Sequence, residues 1–153
     1  MAIKRVPEFR KESNRWVAIG FDAPQAAFDW PRLRGNVGYL YAFGCEGHIK
    51  LGKSQNPGRR LEQLSTAAPR PITKLLVRRV PACSLAYTEA WLHQRFADYR
   101  VHGEWFSVSE TDVRAAMPKA QKFAQLFERE CIRWWEGVTR VEVNGQSPLG
   151  AAR

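Results

Sequence analysis

Apolar and polar positions alternate from Val37 to Phe43, in a run rich in β-forming residues, and the alternation resumes from His48 to Leu51. Between them Gly44-Cys45-Glu46-Gly47 offers a turn, so the pattern predicts a β-hairpin with a four-residue loop. Asn56-Pro57 then reads as a helix start, Asn as N-cap and Pro in the first turn, with Leu61 and Leu64 as the apolar side. Pro69-Arg70-Pro71 ends that unit, and Ile72 to Val80 reads as a strand centred on Leu75, Leu76 and Val77. Ser84 is placed to cap a helix running to about Tyr99, with Leu85, Glu89, Leu92 and Phe96 at spacings of four, three and four. Gly103 to Val108 reads as another strand. Ser109-Glu110-Thr111-Asp112 resembles a capping box with Asp in place of the usual Glu or Gln. It opens a helical region interrupted at Pro118 and resumed through Phe123, Phe127, Cys131 and Trp134. Upstream, Trp16 to Phe21 reads as a strand or docking segment, and after Gly145 the tail looks loose.

The order β-β-α-β-α-β-α predicts an α+β fold: a small antiparallel sheet flanked by helices, with an N-terminal extension and a C-terminal helix. The expected organisation is an extension over residues 1–34, a compact domain over 35–108, and a helical extension with tail over 109–153. At 153 residues the chain is long enough for one core, burying roughly 68–70% of its extended surface.

Composition narrows the function classes. With 44% apolar and 25% charged residues the chain lies in the globular range. Twenty-four Lys and Arg against fifteen Asp and Glu give a net charge of +9, which predicts attraction to polyanions, nucleic acid before an acidic membrane surface. Residues 35–106 hold ten basic and five acidic side chains, more than half of that excess. Cys45, Cys83 and Cys131 are widely spaced and form no CxxC pair, which argues against a disulfide framework and a Cys-rich zinc site. No apolar stretch approaches the roughly 20 residues of a membrane span, and the first residues lack a signal-peptide core. The expectation is an intracellular, cytoplasmic protein with no membrane partner.

Chemistry concentrates on the hairpin. With a four-residue loop, Leu40, Ala42, Ile49 and Leu51 form a core face, while Tyr39, Tyr41, Lys50 and Gly52 form the other. Tyr41 then lies opposite Lys50, with Cβ atoms roughly 4.5–5.5 Å apart. An ammonium there favours the phenolate and makes Tyr41 a general-base candidate, while Gly52 leaves room for a phosphate. An ordinary half-solvated sheet face reads the same way from the hairpin alone. Glu89 adds a carboxylate to an apolar stripe, a costly placement unless it is paired or metal-bound. A buried ion pair with an arginine and a hard-cation site completed by water and phosphate oxygens both satisfy that requirement. His93, one turn on, is a secondary candidate for the same site. Arg60, in the first turn of the helix after the hairpin, is placed to clamp a phosphate, and Arg59 points about a quarter-turn away.

Taken together, Gly38-Tyr39-Leu40-Tyr41, Lys50-Leu51-Gly52-Lys53-Ser54, Arg59-Arg60-Leu61, Glu89 within Thr88 to Phe96, and Gly103-Glu104-Trp105-Phe106 resemble the GIY-YIG nuclease superfamily. More narrowly they are similar to its phage-type branch named after a phage T5 open reading frame, which carries Lys-Ile/Leu-Gly as second motif and a Gly-Glu-Trp-Phe segment. The resemblance spans residues 36–108 and implies hydrolysis of nucleic-acid phosphodiesters with one divalent metal, Mg²⁺ or Mn²⁺, in a bacterial or phage-encoded protein. Carried over position by position, it implies Tyr41 for the first motif's tyrosine, Gly52 for the second motif's glycine, Arg60 for the helix arginine and Glu89 for the metal ligand. Lys50 stands where other branches have the second tyrosine, and Gln63 and Leu64 stand where some members carry a histidine. The expected catalytic set is Tyr41, Lys50, Arg60 and Glu89, with Tyr39 and His93 secondary. Lys53, Arg59, Arg78 and Arg79 are expected to supply backbone affinity for DNA, with RNA also open.

Two other readings compete. The departures from the motif fit a binding module with little or no cleavage. Trp16, Trp30, Trp134 and Trp135, outside the motif region, suit a homo-oligomer or protein-partner interface. No zinc finger or helix-turn-helix pattern is visible in the flanks.

Overall fold

A computed structural model describes residues 8–12, 15–19 and 34–143, the first two segments and residues 134, 135 and 137–143 through their backbone alone. Among the described residues there are seven strands. β1 (Glu8–Glu12) and β2 (Arg15–Ile19) form an antiparallel pair. β3 (Val37–Cys45), β4 (His48–Ser54), β5 (Thr73–Pro81), β6 (Arg100–His102) and β7 (Trp105–Phe106) form one antiparallel sheet in the order β5-β3-β4-β7-β6. The helices are α1 (Pro57–Ala67), α2 (Leu85–Arg95) and α3 (Glu110–Val143). This is the expected α+β architecture with a C-terminal helix. Trp30 and the tail after Gly145 lie outside the described residues, as do the side chains of Trp16, Trp134 and Trp135.

The hairpin differs from expectation in register. β3 and β4 pair through to Cys45 opposite His48, leaving a two-residue turn in which Glu46 (φ 49°) and Gly47 (φ 80°) both adopt the positive φ of a type I′ turn. Every pairing therefore slides by two residues, and Tyr41 stands opposite Gly52 instead of Lys50. A slide of two preserves which side chains share a face. Leu40, Ala42, Ile49 and Leu51 accordingly form the core face, against Leu92 and Phe96 of the α2 region and Val113, Ala116, Met117, Ala120 and Ala124 of α3.

α3 is one continuous helix through Pro118, not the interrupted region expected. Proline removes one backbone hydrogen bond there, but the buried stripe runs unbroken across it, from Val113 to Cys131. Ser84 does not cap α2; its Oγ donates to the Ala124 carbonyl at 2.7 Å and ties the start of α2 to α3. Asn56 does cap α1, its Oδ1 accepting from the Arg59 N–H at 3.1 Å.

β5 is an edge strand whose outward carbonyls are occupied. Leu75 accepts from the Arg114 guanidinium (2.9 Å), Val77 from Arg78 (3.1 Å) and Arg79 from the Gln121 amide (3.4 Å). β7, by contrast, pairs only with Ile49 and Lys50, so Gly52 to Ser54 at the end of β4 have no strand beside them on that side among the described residues.

Candidate functional site

That uncovered stretch of β4 is where the predicted residues gather. Tyr41 projects from β3 onto the face opposite the α2–α3 core, with Tyr39, Phe43, Lys50 and Gly52 on the same side by strand alternation. Its ring stacks on Phe43 at 4.0 Å between centroids and is almost wholly buried. A Cβ built on Gly52 would collide with the Tyr41 Cζ and hydroxyl, so the second motif's glycine is the seat of the first motif's tyrosine. Gly38 plays a parallel part, since a side chain there would strike Leu85 at the start of α2.

Arg60, in the first turn of α1, favours ionisation of the Tyr41 hydroxyl. Burial pushes the phenol above its ordinary 10.0; Arg60 opposes the shift through its hydrogen bond and charge, while the carboxylates of Glu104 and Glu89 add to it. The expected lowering by a facing Lys50 is therefore corrected. The hairpin register puts Gly52 opposite Tyr41, and the phenol is held neutral at physiological pH.

Lys50 stands opposite Phe43, diagonal to Tyr41. Its ammonium donates to Glu104 Oε2 at 2.8 Å and lies 5.8 Å from the Trp105 ring centroid. Burial tends to raise the Glu104 carboxyl, but the hydrogen bond and charge of Lys50 outweigh it, with His93 and Lys53 adding, and the net shift is below the ordinary 4.5. Glu104 has a contact role that its place in the Gly-Glu-Trp-Phe segment did not disclose, because nothing in the spacing says which lysine it meets.

Glu89 lies at the margin of the buried stripe of α2, beside Thr88, which occupies the buried position and donates to the Ser84 carbonyl at 2.8 Å. The Glu89 carboxylate, 12% exposed, accepts from the Lys53 ammonium at 3.2 Å. By alternation Lys53 belongs to the core-side face of β4, yet Glu89 acts electrostatically on Tyr41 from across the sheet. His93 does not share the carboxylate's partner: its Nε2–H donates to the Leu51 carbonyl at 2.7 Å, anchoring α2 to β4.

The basic residues divide between the faces. Arg79 pairs with Tyr39 and Lys74 with Phe43, so both share the Tyr41 face, and both are exposed. Arg59 is exposed in the first turn of α1. Arg78 pairs with Leu40 on the opposite face and is engaged with the backbone. Lys74 was not picked out by its sequence context, and only the register shows its side.

The T5orf172 domain model matches residues 38–136, well over half of the 153-residue chain. This chain belongs to the T5orf172 family. The family is associated with GIY-YIG-like nucleases, which makes this a module of nuclease-like or DNA-binding type. The T5orf172 match runs beyond the hairpin and α2 through most of α3, whose apolar stripe completes the core. Comparison with curated proteins and with solved structures gives no match. Among the described residues no helix is long and apolar enough to cross a membrane.

Proposed function

We propose that this T5orf172 protein is a metal-dependent DNA endonuclease hydrolysing phosphodiester bonds. The reading is supported by the Tyr41 phenol seated against Gly52, with Arg60, Glu104 and Glu89 each acting on its ionisation. Tyr41 is the general base, and Arg60 stabilises the charge that builds on the phosphate. Lys50 meets developing negative charge on the same face. Arg79, Lys74 and Arg59 supply salt-sensitive backbone contacts.

Glu89 is the residue that would hold Mg²⁺ or Mn²⁺. Among the described residues no cluster of three or more His, Cys, Asp and Glu side chains suits a metal, so an all-protein cage is not the model. One carboxylate fits an ion held mainly by water and phosphate oxygens. The Lys53 ammonium pairs with Glu89 at 3.2 Å and would have to give way to the ion. When bound, the ion supplies Lewis-acid charge at a phosphate oxygen. Because Glu89 and Glu104 both disfavour ionisation of Tyr41, offsetting either carboxylate eases release of its proton.

Nicking of supercoiled plasmid with and without Mg²⁺, wild type beside Glu89→Gln, tests the proposal. Mg²⁺-dependent nicking by the wild type alone is expected, with both proteins binding DNA. Equal nicking by both in a clean preparation overturns it. The second reading, a DNA-binding module without cleavage, is favoured by the neutral Tyr41 and the Lys53–Glu89 pair, and predicts salt-dependent binding with no nicking by either.

A further inference from the structure

Glu104 is an acidic group at this site to which the motif carry-over assigns no role. It sits in the turn between β6 and β7, entered through Gly103 at φ 54°. Its backbone carbonyl accepts from the Leu51 N–H at 3.1 Å, extending the β4–β7 ladder by one bond. The Glu104 carboxylate is thereby fixed to the same strand as its partner Lys50. Lys50 is only 7% exposed, and its ammonium lies between the Glu104 carboxylate and the Trp105 ring, with Trp105 itself paired to Lys50 across the ladder.

A lysine ammonium is a strongly hydrated charge on a flexible four-carbon stem. Left alone, it moves toward water. Here a carboxylate and an aromatic face hold it on the Tyr41 side of the sheet, and a buried ammonium needs such a partner. We infer that Glu104 is a positioning residue: its carboxylate fixes the Lys50 ammonium on the Tyr41 face of the sheet, ready to meet a phosphate lying on that side. The inference rests on the nuclease reading for its consequence in turnover, but the placement of Lys50 is a property of the protein alone.

The experiment compares wild type, Glu104→Gln, Glu104→Asp, Lys50→Met and the double variant Lys50→Met/Glu104→Gln in plasmid nicking with Mg²⁺. Nitrogen-15 NMR of the lysine ammonium groups is recorded on each protein without DNA. Expected are a slowly exchanging Lys50 resonance in wild type that is lost in Glu104→Gln, and a fall in kcat of at least about tenfold with KM held within about twofold. Glu104→Asp should fall between the two. The double variant should be no slower than Lys50→Met, because Glu104 acts through Lys50. Wild-type kcat in Glu104→Gln, or in Glu104→Asp if the Gln variant does not fold, beside an inactive Glu89→Gln overturns the inference. So do losses that multiply in the double variant. If no protein nicks DNA, the nuclease reading fails separately, and a Lys50 resonance unchanged by Glu104 substitution still refutes the positioning role.

Discussion

The ring of Tyr41 lies across Gly52, its partner on the neighbouring strand, with no room between them for even one carbon. Gly52→Ala therefore displaces the phenol rather than filling space. Overpacking of this kind costs about 1–3 kcal/mol, and the displaced hydroxyl loses Arg60. Denaturant titration should show the stability loss, and plasmid nicking should fall by about a hundredfold if Tyr41 is the base.

Tyr41 sets an alkaline dependence. Its folded pKa is raised above 10.0 by burial and by Glu104 and Glu89, against the pull of Arg60. The free protein's base form thus grows with pH throughout the neutral range, and kcat/KM should climb about tenfold per pH unit from 7 to 9 without levelling. Tyr41→Phe should abolish the slope. The linked stability effect has the opposite sense: the contribution is complete below pH 10 and is lost as pH rises through the folded pKa. A rate maximum at or below pH 7 would refute the general-base assignment.

Adjacent arginines should behave differently toward DNA. Arg79 is exposed on the Tyr41 face, whereas Arg78 lies on the opposite face and donates to a backbone carbonyl. Arg79→Ala should weaken binding at low salt and reduce the slope of log K against log salt by about 1. Arg78→Ala should leave that slope unchanged. Fluorescence anisotropy across a salt series measures both, and equal slopes for the two variants would contradict this division of faces.

The Lys50–Glu104 pair predicts acid sensitivity. Its carboxyl is held below 4.5, mainly because Lys50 outweighs the opposing effect of burial. The pair's stabilisation is therefore complete above pH 4.5 and is lost as pH falls below it. At pH 7 Glu104→Gln should cost about 1–2 kcal/mol, a figure reduced because the carboxylate is 40% exposed. Urea unfolding should bring wild type and variant progressively together as pH falls below 4.5.

Much of this was legible in the chain because strand alternation has period two. The hairpin slid by two residues between expectation and structure, and each side chain kept its face. The register itself was hidden, because a turn with Glu46 at φ 49° asks a non-glycine residue to adopt a conformation it uncommonly takes. The cap at Asn56-Pro57 was local chemistry and was read directly. Pro118 misled because a helix-breaking residue was weighed without the buried stripe that carries α3 past it. β6, three exposed residues with no apolar pattern, gave nothing to detect. The pairing of Lys53 with Glu89 was equally hidden, since it joins residues thirty-six positions apart.

Arg114, Arg78 and Gln121 together seal the outer rim of β5. An extended peptide arriving there finds three of its would-be hydrogen-bond acceptors already engaged, which blunts rim-to-rim pairing between copies of this protein.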